Sequence, residues 1–284
     1  MKCCYVTLLS TENYLPGVVA LARSLKSTGT KIPFLCVCSK DLDEKVVNRL
    51  HEQGIATSKL TKSATEGLEI LNSTEFSHWK YTFDKLLLWG SYWGEGKQFD
   101  KIVFLDSDMM IISNIDFLFE YPDFSACQAG RFLNSDWVRL NSGLMVIKPN
   151  EDTLQSLMAQ LPLTLKKYVA EGKNVGDQDV INDFMPDWNL RVDLHLPEGL
   201  NMFFKHLTLA KASGFSFDAA DAEKKIFVIH FIGAKKPWHL RGIKCLLYLL
   251  KVILKNRYGL SVFLKYLKSA TIIQYTIKGR FMSR

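Results

Sequence analysis

The sequence lacks the patterns that mark secreted, membrane-spanning and repetitive proteins. Lys2 is followed by a short apolar stretch that soon turns polar, so we expect no secretory signal peptide. The uncharged runs near the C-terminus fall far short of the roughly 20 apolar residues that a transmembrane helix requires. Internal repeats, low-complexity tracts and a clear interdomain linker are also missing, and we therefore expect residues 1–238 to fold as one domain.

Cysteine occurs at only six positions, and none of the spacings between them is typical of a zinc site. Cys36 and Cys38 alternate along a predicted strand, so both side chains should face the same side of the sheet and behave as small apolar core residues. This usage of cysteine favours a reducing, cytoplasmic setting over an oxidising one.

Acidic residues are absent from residues 239–284, which contain ten of the 36 lysine and arginine residues. The remaining 26 basic and 29 acidic residues give residues 1–238 a net charge of −3, although the whole chain carries +7. A domain that binds nucleic acid spreads basic and aromatic groups over its folded surface. Because the basic character here belongs to the tail, no nucleic-acid partner is predicted.

What the sequence does contain is a regular alternation of strand and helix patterns. This alternation predicts an α/β fold with a mostly parallel sheet and helices on both faces. Ligands of such sheets bind at the carboxyl ends of the strands. A long polar connection is predicted at residues 61–77. The predicted strands cover residues 3–9, 32–38, 55–60, 102–105, 124–129 and 143–147, and the predicted helices cover residues 14–28, 41–53, 81–93, 151–168 and a segment after residue 177.

The most informative stretch runs from residue 102 to residue 112. Its first apolar residues predict a strand buried on both faces, and Asp106, Ser107 and Asp108 follow that strand directly. Two carboxylates at such a place are costly to desolvate unless a cation or hydrogen-bond donors meet them. Hard divalent ions such as Mn²⁺ or Mg²⁺ bind carboxylate oxygens and bridge phosphates. The alternative is that both aspartates only cap nearby backbone N–H groups.

A second polar cluster follows the apolar stretch at residues 228–229. His230 ends this predicted strand, Gly233 allows close backbone approach, and Lys235 and Lys236 lie within reach of an anion. An imidazole beside two carboxylates would complete a Mn²⁺ site, and an ammonium nearby suits a diphosphate. A lone histidine on an apolar strand is otherwise a core residue.

Two further polar motifs lie at the starts of predicted elements. Asp177 and Gln178 begin a predicted helix, where Asp177 is also a good candidate for the N-cap. Asn141 and Ser142 precede Gly143 and a strand, and without other information they indicate an ordinary turn.

Five motifs occur in the order and at spacings typical of one known family. They lie at residues 6–8, 104–108, 141–143, 176–178 and 230–238. Together they resemble glycosyltransferase family 8, in particular its glycogenin-like and lipopolysaccharide glycosyltransferase-like members. The resemblance implies a GT-A fold with a Rossmann-like sheet, a UDP-sugar donor, Mn²⁺ with Mg²⁺ as the alternative, and transfer with retention at the anomeric carbon.

The resemblance also implies roles for individual residues. The implied metal ligands are Asp106, Asp108 and His230. The implied donor-binding residues are Leu8, Ser10, Thr11, Tyr14, Lys85, Asp106, Ser107, Asp108, Asn141, Ser142, Gly233 and Lys236. Asp177 and Gln178 would face the donor sugar at the reaction centre. The family has an arginine upstream of the lysine that Lys85 matches, and no such arginine is evident here. His78, Lys80 or the long polar connection are candidates to replace it. Asn174 stands where a second carboxylate is expected.

The implied reaction breaks the anomeric C–O bond and leaves negative charge on the β-phosphate, where the metal ion and Lys236 are expected to stabilise it. Retention is predicted to proceed through a short-lived oxocarbenium pair that Asp177 or Gln178 shields. A double displacement is the alternative. The acceptor is left open between a glycan, a lipid-linked molecule and a protein. Two other classes also stay open, a catalytically weak nucleotide-sugar-binding protein and a metal-dependent nucleotidyltransferase.

Residues 239–284 are predicted to form a basic amphipathic helical tail. Its second segment, at residues 261–273, brings Lys265 and Lys268 together. Such a tail suits an anionic membrane surface, which would make the protein peripheral on the inner face of the membrane. The alternative is that the apolar face of the tail packs on the domain. The basic face of the first segment comprises Arg241, Lys244, Lys251 and Lys255.

Overall fold

The computed structural model describes residues 1–68, 80–94, 99–233, 236–239, 248 and 257–269 of the chain. The latter part of the polar connection predicted at residues 61–77 lies outside this description, as does His78. The same holds for Lys235 and for the predicted basic face at Arg241, Lys244, Lys251 and Lys255.

A six-stranded sheet forms the centre of the fold, with the strand order β3-β2-β1-β4-β7-β6. Strands β1 to β4 pair in parallel, and β7 runs against both of its neighbours. The predicted α/β fold with a mostly parallel sheet is confirmed. The strands of this sheet are β1 (Cys3–Leu9), β2 (Phe34–Cys38), β3 (Ala56–Lys59), β4 (Lys101–Leu105), β6 (Ala126–Cys127) and β7 (Asn141–Ile147).

Helices cover both faces of this sheet, because successive strand side chains point to opposite sides. On one face Leu9, Cys36 and Cys38 share a core with α1 and α2, which confirms the predicted placement of the two cysteines. On the other face Val6 and Val37 share a core with α3, α4 and a 3₁₀ helix. The helices are α1 (Leu15–Ser27), α2 (Glu44–Glu52), the 3₁₀ helix (Lys80–Trp89), α3 (Glu151–Ala170), α4 (Asp177–Phe184) and α5 (Leu207–Ala212).

Two predictions about helices were wrong in detail. The helix predicted at residues 81–93 is a 3₁₀ helix that ends at Trp89. Asp177 is not the N-cap of α4, because Gly176 occupies that position and the Asp179 carboxylate accepts a hydrogen bond from the Gly176 N–H at 3.0 Å. The Asp179 side chain, in the first turn of α4, thus satisfies the Gly176 N–H. The Asp177 carboxylate is therefore available for other contacts.

A second sheet of three strands joins two distant parts of the chain. It consists of β5 (Met109–Ile111), β9 (Val228–His230) and β8 (Met202–Phe203), in the order β5-β9-β8. β5 pairs with β9 in antiparallel, with Met109 opposite His230. Because Asp108 directly precedes Met109, this register places His230 next to Asp108.

The described end of the tail is a further helix, α6, over residues 260–269. Val262, Phe263 and Tyr266 are buried against the domain, whereas Lys265 and Lys268 are exposed. The apolar face of α6 is therefore docked on the domain. Within the described residues no helix combines the length and the apolar character needed to span a membrane.

Stability should depend on pH through the Asp123 carboxyl, which lies 3.3 Å from the Trp89 indole nitrogen. Burial raises the pKa of Asp123 to about 6, although hydrogen bonds from the Lys148 and Phe124 N–H groups lower it. Between about pH 4 and about pH 6 the Asp123 carboxyl keeps its proton in the folded chain but loses it in the unfolded chain. The free energy of unfolding should therefore fall as pH rises through this range, by at most about 3 kcal/mol. Urea denaturation of the wild type and Asp123→Asn across this range measures the difference. A pH dependence that is identical in the two proteins would contradict this assignment.

Candidate functional site

Two carboxylates and one imidazole converge where the two sheets meet. Asp106 follows β4, Asp108 precedes β5, and His230 ends β9. The His230 Nε2 atom lies 3.0 Å from Asp108 Oδ1 and 3.7 Å from Asp106 Oδ2. The ligand atoms that the three side chains offer lie within 4.8 Å of one another. The structure therefore brings together the three residues that the sequence predicts as metal ligands.

The orientation of His230 is set by Asn201, which sequence reasoning missed. The Asn201 amide nitrogen donates to Asn141 Oδ1 at 2.7 Å, so its oxygen is the atom 2.8 Å from His230 Nδ1. His230 Nδ1 must then carry the proton and donate it, which leaves the Nε2 lone pair directed at the carboxylates. Acceptor atoms 3.0 Å apart require a cation or a proton between them. Two carboxylates and a neutral imidazole suit Mn²⁺ or Mg²⁺, so these residues fit the implied metal ion.

Gly143 makes this convergence sterically feasible. A Cβ atom at this position would lie 2.7 Å from His230 Cε1 and 3.1 Å from Asp106 Oδ2. The Gly143 N–H also donates to Asn141 Oδ1 at 3.0 Å, which fixes the side chain that orients Asn201. The sequence indicated an ordinary turn at Asn141 and Ser142, but both residues belong to β7, and Gly143 after them has no room for a side chain.

Gly143→Ala is therefore expected to weaken the affinity for Mn²⁺ about 10- to 100-fold, because the new methyl group must push His230 away from Asp106. Isothermal titration with Mn²⁺ measures the change, and circular dichroism checks the fold. Gly176→Ala is the matched control, since its Cβ would meet only Thr82 Oγ1 at an ordinary 3.7 Å. Equal affinities in the two variants would contradict the proposed ligand set.

Lys236 is the second side chain that contacts the Asp108 carboxylate. Its ammonium lies 2.5 Å from Asp108 Oδ2 and 3.0 Å from the Phe231 carbonyl oxygen. Burial alone would raise the pKa of the Asp108 carboxyl, but His230 and Lys236 together hold it well below its usual value. Gly233 has a φ of 100° between the strand and Lys236, a conformation that favours glycine. Asp108 is thus an anion in the folded chain.

Lys85 joins the Asp106 carboxylate to the start of α4. Its buried ammonium lies 3.2 Å from Asp106 Oδ1, 2.7 Å from Asp177 Oδ2 and 3.2 Å from the Ser142 carbonyl oxygen. Burial alone would lower the pKa of Lys85, but the charges of Asp106 and Asp177 outweigh that effect and raise it. Lys85 is therefore a permanent cation between two acids.

A cavity of about 460 Å³ opens beside these groups at the carboxyl ends of β1 and β4. Its walls contain most of the residues predicted for donor binding. Those that line it are Leu8, Ser10, Thr11, Tyr14, Lys85, Asp106, Ser107, Asp108, Ser142, Asp177 and Gln178. Asn141, His230, Gly233 and Lys236 are not among the lining residues. Lining residues that sequence reasoning did not single out are Tyr81, Thr82, Phe104, Val175, Gly176 and Asp179.

The two ends of the cavity differ in their chemistry. At one end the Ser10 hydroxyl lies 2.8 Å from Ser39 Oγ, which in turn contacts the buried Asp84 carboxylate at 3.0 Å. At the other end Gln178 Oε1 accepts a hydrogen bond from the Ser142 N–H at 3.2 Å. The bond fixes the carbonyl end of the Gln178 amide and leaves its NH₂ group as a donor.

This combination of a mostly parallel sheet, an Asp-x-Asp pair with a histidine, and an open cavity defines the GT-A class of glycosyltransferase folds. The chain belongs to glycosyl transferase family 8, which it matches over residues 5–242. The resemblance stated from the sequence motifs is therefore confirmed.

Solved structures and sequence relatives agree with this assignment. The fold matches the galactosyltransferase LgtC in complex with donor and acceptor sugar analogues, with a TM-score of 0.61 and 16% identity over 94% of this chain and 95% of LgtC. Glycogenin-1 of Caenorhabditis elegans is 32% identical over 240 residues, which are 83% of this chain and 50% of that protein. Putative UDP-glucuronate:xylan alpha-glucuronosyltransferase 3 of Arabidopsis thaliana is 28% identical over 82% of this chain and 34% of its own length. The chain thus spans half or less of the length of these two sequence relatives.

Proposed function

We propose that the chain is a retaining glycosyltransferase that moves a hexose from a UDP-sugar to a glycan, lipid-linked or protein acceptor with the help of Mn²⁺. The observation that carries this proposal is the convergence of Asp106, Asp108 and His230 beside an open cavity of about 460 Å³. Family membership supports the same reaction class.

In this proposal the donor lies along the cavity from β1 to α4. The uracil and ribose are held by Leu8, Ser10, Thr11 and Tyr14, of which Tyr14 stacks on the base. Ser107 also contacts the nucleotide. Lys236 and the backbone at Gly233 contact the diphosphate. The residues proposed to face the donor and its sugar at the other end are Lys85, Asn141, Ser142, Asp177 and Gln178.

A divalent ion held by Asp106, Asp108 and His230 would supply positive charge to the diphosphate. The Lys236 ammonium adds a second positive charge that is fixed before the bond breaks, so little reorganisation is needed. Asp177 is engaged by Lys85 at 2.7 Å, which makes its carboxylate a poor candidate for the nucleophile of a double displacement. Gln178, which Ser142 orients, would then shield the sugar cation while the acceptor attacks from the same side as the departing UDP.

We also propose that residues 1–238 form the transferase domain and residues 239–284 a basic tail that contacts an anionic membrane surface from the cytoplasmic side. The exposure of Lys265 and Lys268 on α6 supports such a contact. Sedimentation of the full chain and a Lys265→Glu/Lys268→Glu variant with anionic vesicles tests it. Equal sedimentation of the two proteins would contradict a role for this part of the tail.

The function is tested by a thermal-shift screen of nucleotide sugars with and without Mn²⁺. A UDP-sugar should raise the melting temperature more than other nucleotide sugars do, and more in the presence of Mn²⁺. Incubation with the best ligand should then release UDP. Release of pyrophosphate would instead indicate a nucleotidyltransferase, and binding without turnover would indicate a nucleotide-sugar-binding protein.

A further inference from the structure

A helix beyond the family match packs behind the proposed diphosphate end of the cleft. The match to glycosyl transferase family 8 ends at residue 242, whereas α6 covers residues 260–269. Tyr266 of α6 is fully buried, and its ring centroid lies 4.4 Å from that of Phe231 and 5.8 Å from that of Trp238. These two aromatic residues flank Lys236 in the chain, so Tyr266 contacts both sides of the segment that carries this ammonium.

The contacts of Phe231 and Trp238 lead directly to the site. The Phe231 N–H donates to the Asp108 carbonyl oxygen at 2.9 Å, and the Phe231 carbonyl oxygen accepts from the Lys236 ammonium at 3.0 Å. The Trp238 indole N–H donates to the Asn13 carbonyl oxygen at 2.7 Å, and its ring lies edge-on to Tyr14 at 5.7 Å. A shift of either ring would therefore move Lys236 relative to Asp108.

The described part of α6 is anchored to the domain near its first and its last residue independently of Tyr266. The Arg23 guanidinium on α1 donates to the Ser269 carbonyl oxygen at 2.7 Å. Just before α6 the Tyr258 ring stacks on Phe217 at 4.9 Å, and its hydroxyl accepts from the Phe217 N–H at 3.2 Å. These contacts and those of Tyr266 fix the position of α6 over its described residues.

The Tyr266 hydroxyl has no hydrogen-bond partner among the described residues, although it is buried. A buried hydroxyl without a partner costs free energy, so hydrogen bonding does not explain why a tyrosine occupies this position. The ring contacts with Phe231 and Trp238 are what the side chain contributes here.

We infer that α6 is a structural part of the diphosphate end of the cleft, and that Tyr266 is a positioning residue that holds Lys236 through Phe231 and Trp238. This inference rests on the proposed function, because it assigns Lys236 to the donor diphosphate. It makes the tail more than a surface attachment, since donor binding depends on a helix that lies beyond residue 242, where the match to the family model ends.

The test compares UDP with uridine, each titrated calorimetrically into the full chain with Mn²⁺ present. Tyr266→Leu keeps most of the apolar volume and removes the ring, so the affinity for UDP should fall about tenfold, which is a larger loss than the one expected for uridine. Tyr266→Phe should bind UDP as the wild type does and should melt at an equal or higher temperature, because it loses only the unpaired hydroxyl. Leu264→Ala, on the exposed side of α6, is the matched control and should behave as the wild type.

Two results would overturn the inference while leaving the proposed function in place. One is a Tyr266→Leu variant that binds UDP as the wild type does, and the other is an equal loss of UDP and uridine binding, which would mean that α6 supports the whole domain. A wild-type chain that binds no UDP would refute the proposed function and this inference with it. If Tyr266→Leu does not fold, Arg23→Gln removes the hydrogen bond to the Ser269 carbonyl oxygen, together with one to Gln53 Oε1, and should lower UDP affinity in the same selective way.

Discussion

Asp108→Asn should abolish Mn²⁺-dependent sugar transfer, with a loss in turnover of about a thousandfold or more. The Asp108 carboxylate contacts both His230 and Lys236, at 3.0 Å and 2.5 Å. An amide at this position keeps the shape but removes the negative charge that both partners face. Release of UDP from the donor measures the effect, with Mn²⁺ varied over a wide range.

The matched control for this variant is Asp193→Asn, which also removes an ion-paired carboxylate but lies on the surface with Arg191. It should retain full turnover. Circular dichroism should show that Asp108→Asn is folded, with a lower melting temperature because Lys236 loses its buried partner. An active variant, or one whose residual turnover is as metal-dependent as that of the wild type, would contradict the proposed role of Asp108.

The parts of the fold that the sequence predicts are those that depend on local pattern. The apolar run before Asp106 predicts a strand without any knowledge of distant contacts. In the same way Pro16 in the first turn of α1 and Gly29 after its last turn predict a helix. Asp106 and Asp108 could be singled out because two acids at the end of a buried strand need a partner.

The parts that sequence reasoning missed depend on pairing between distant segments. Asn201 orients His230 only because β8 and β5 both pair with β9. The residues around Asn201 carry no sequence pattern that indicates this pairing. Lys85 was assigned to the donor through the family resemblance, but its bridge between Asp106 and Asp177 follows from three separate elements of the fold. Short strands such as β8, of two residues, have too little pattern to be predicted.

The balance of charge in the site supports the proposal that a cation takes part in donor binding. Asp106, Asp108 and Asp177 are matched by Lys85 and Lys236, which leaves one negative charge in excess. The group is therefore close to neutral without a ligand. A diphosphate adds negative charge that this group cannot offset alone, and a divalent ion between the carboxylates and the phosphates would restore the balance.

Lys85→Met is expected to destabilise the chain by about 3–5 kcal/mol, which is the usual cost of removing one partner from a buried ion pair. Methionine has a similar shape, so packing on Phe104 changes little, but the Asp177 carboxylate loses its 2.7 Å partner inside the protein. Urea denaturation measures the loss, and donor turnover should fall as well because Lys85 also holds Asp106 at 3.2 Å.

The double variant Lys85→Met/Asp177→Asn separates these two effects. Removing the second charge of the pair should restore much of the lost stability, since no unpaired carboxylate is then buried at position 177. Turnover should stay low, because the reaction centre still lacks both the cation beside Asp106 and the group next to Gln178. If the double variant were as unstable as Lys85→Met, the ion pair would not be the source of the destabilisation. Recovery of turnover together with stability would show that Lys85 acts only by supporting the fold, and its proposed contact with the donor would then be wrong.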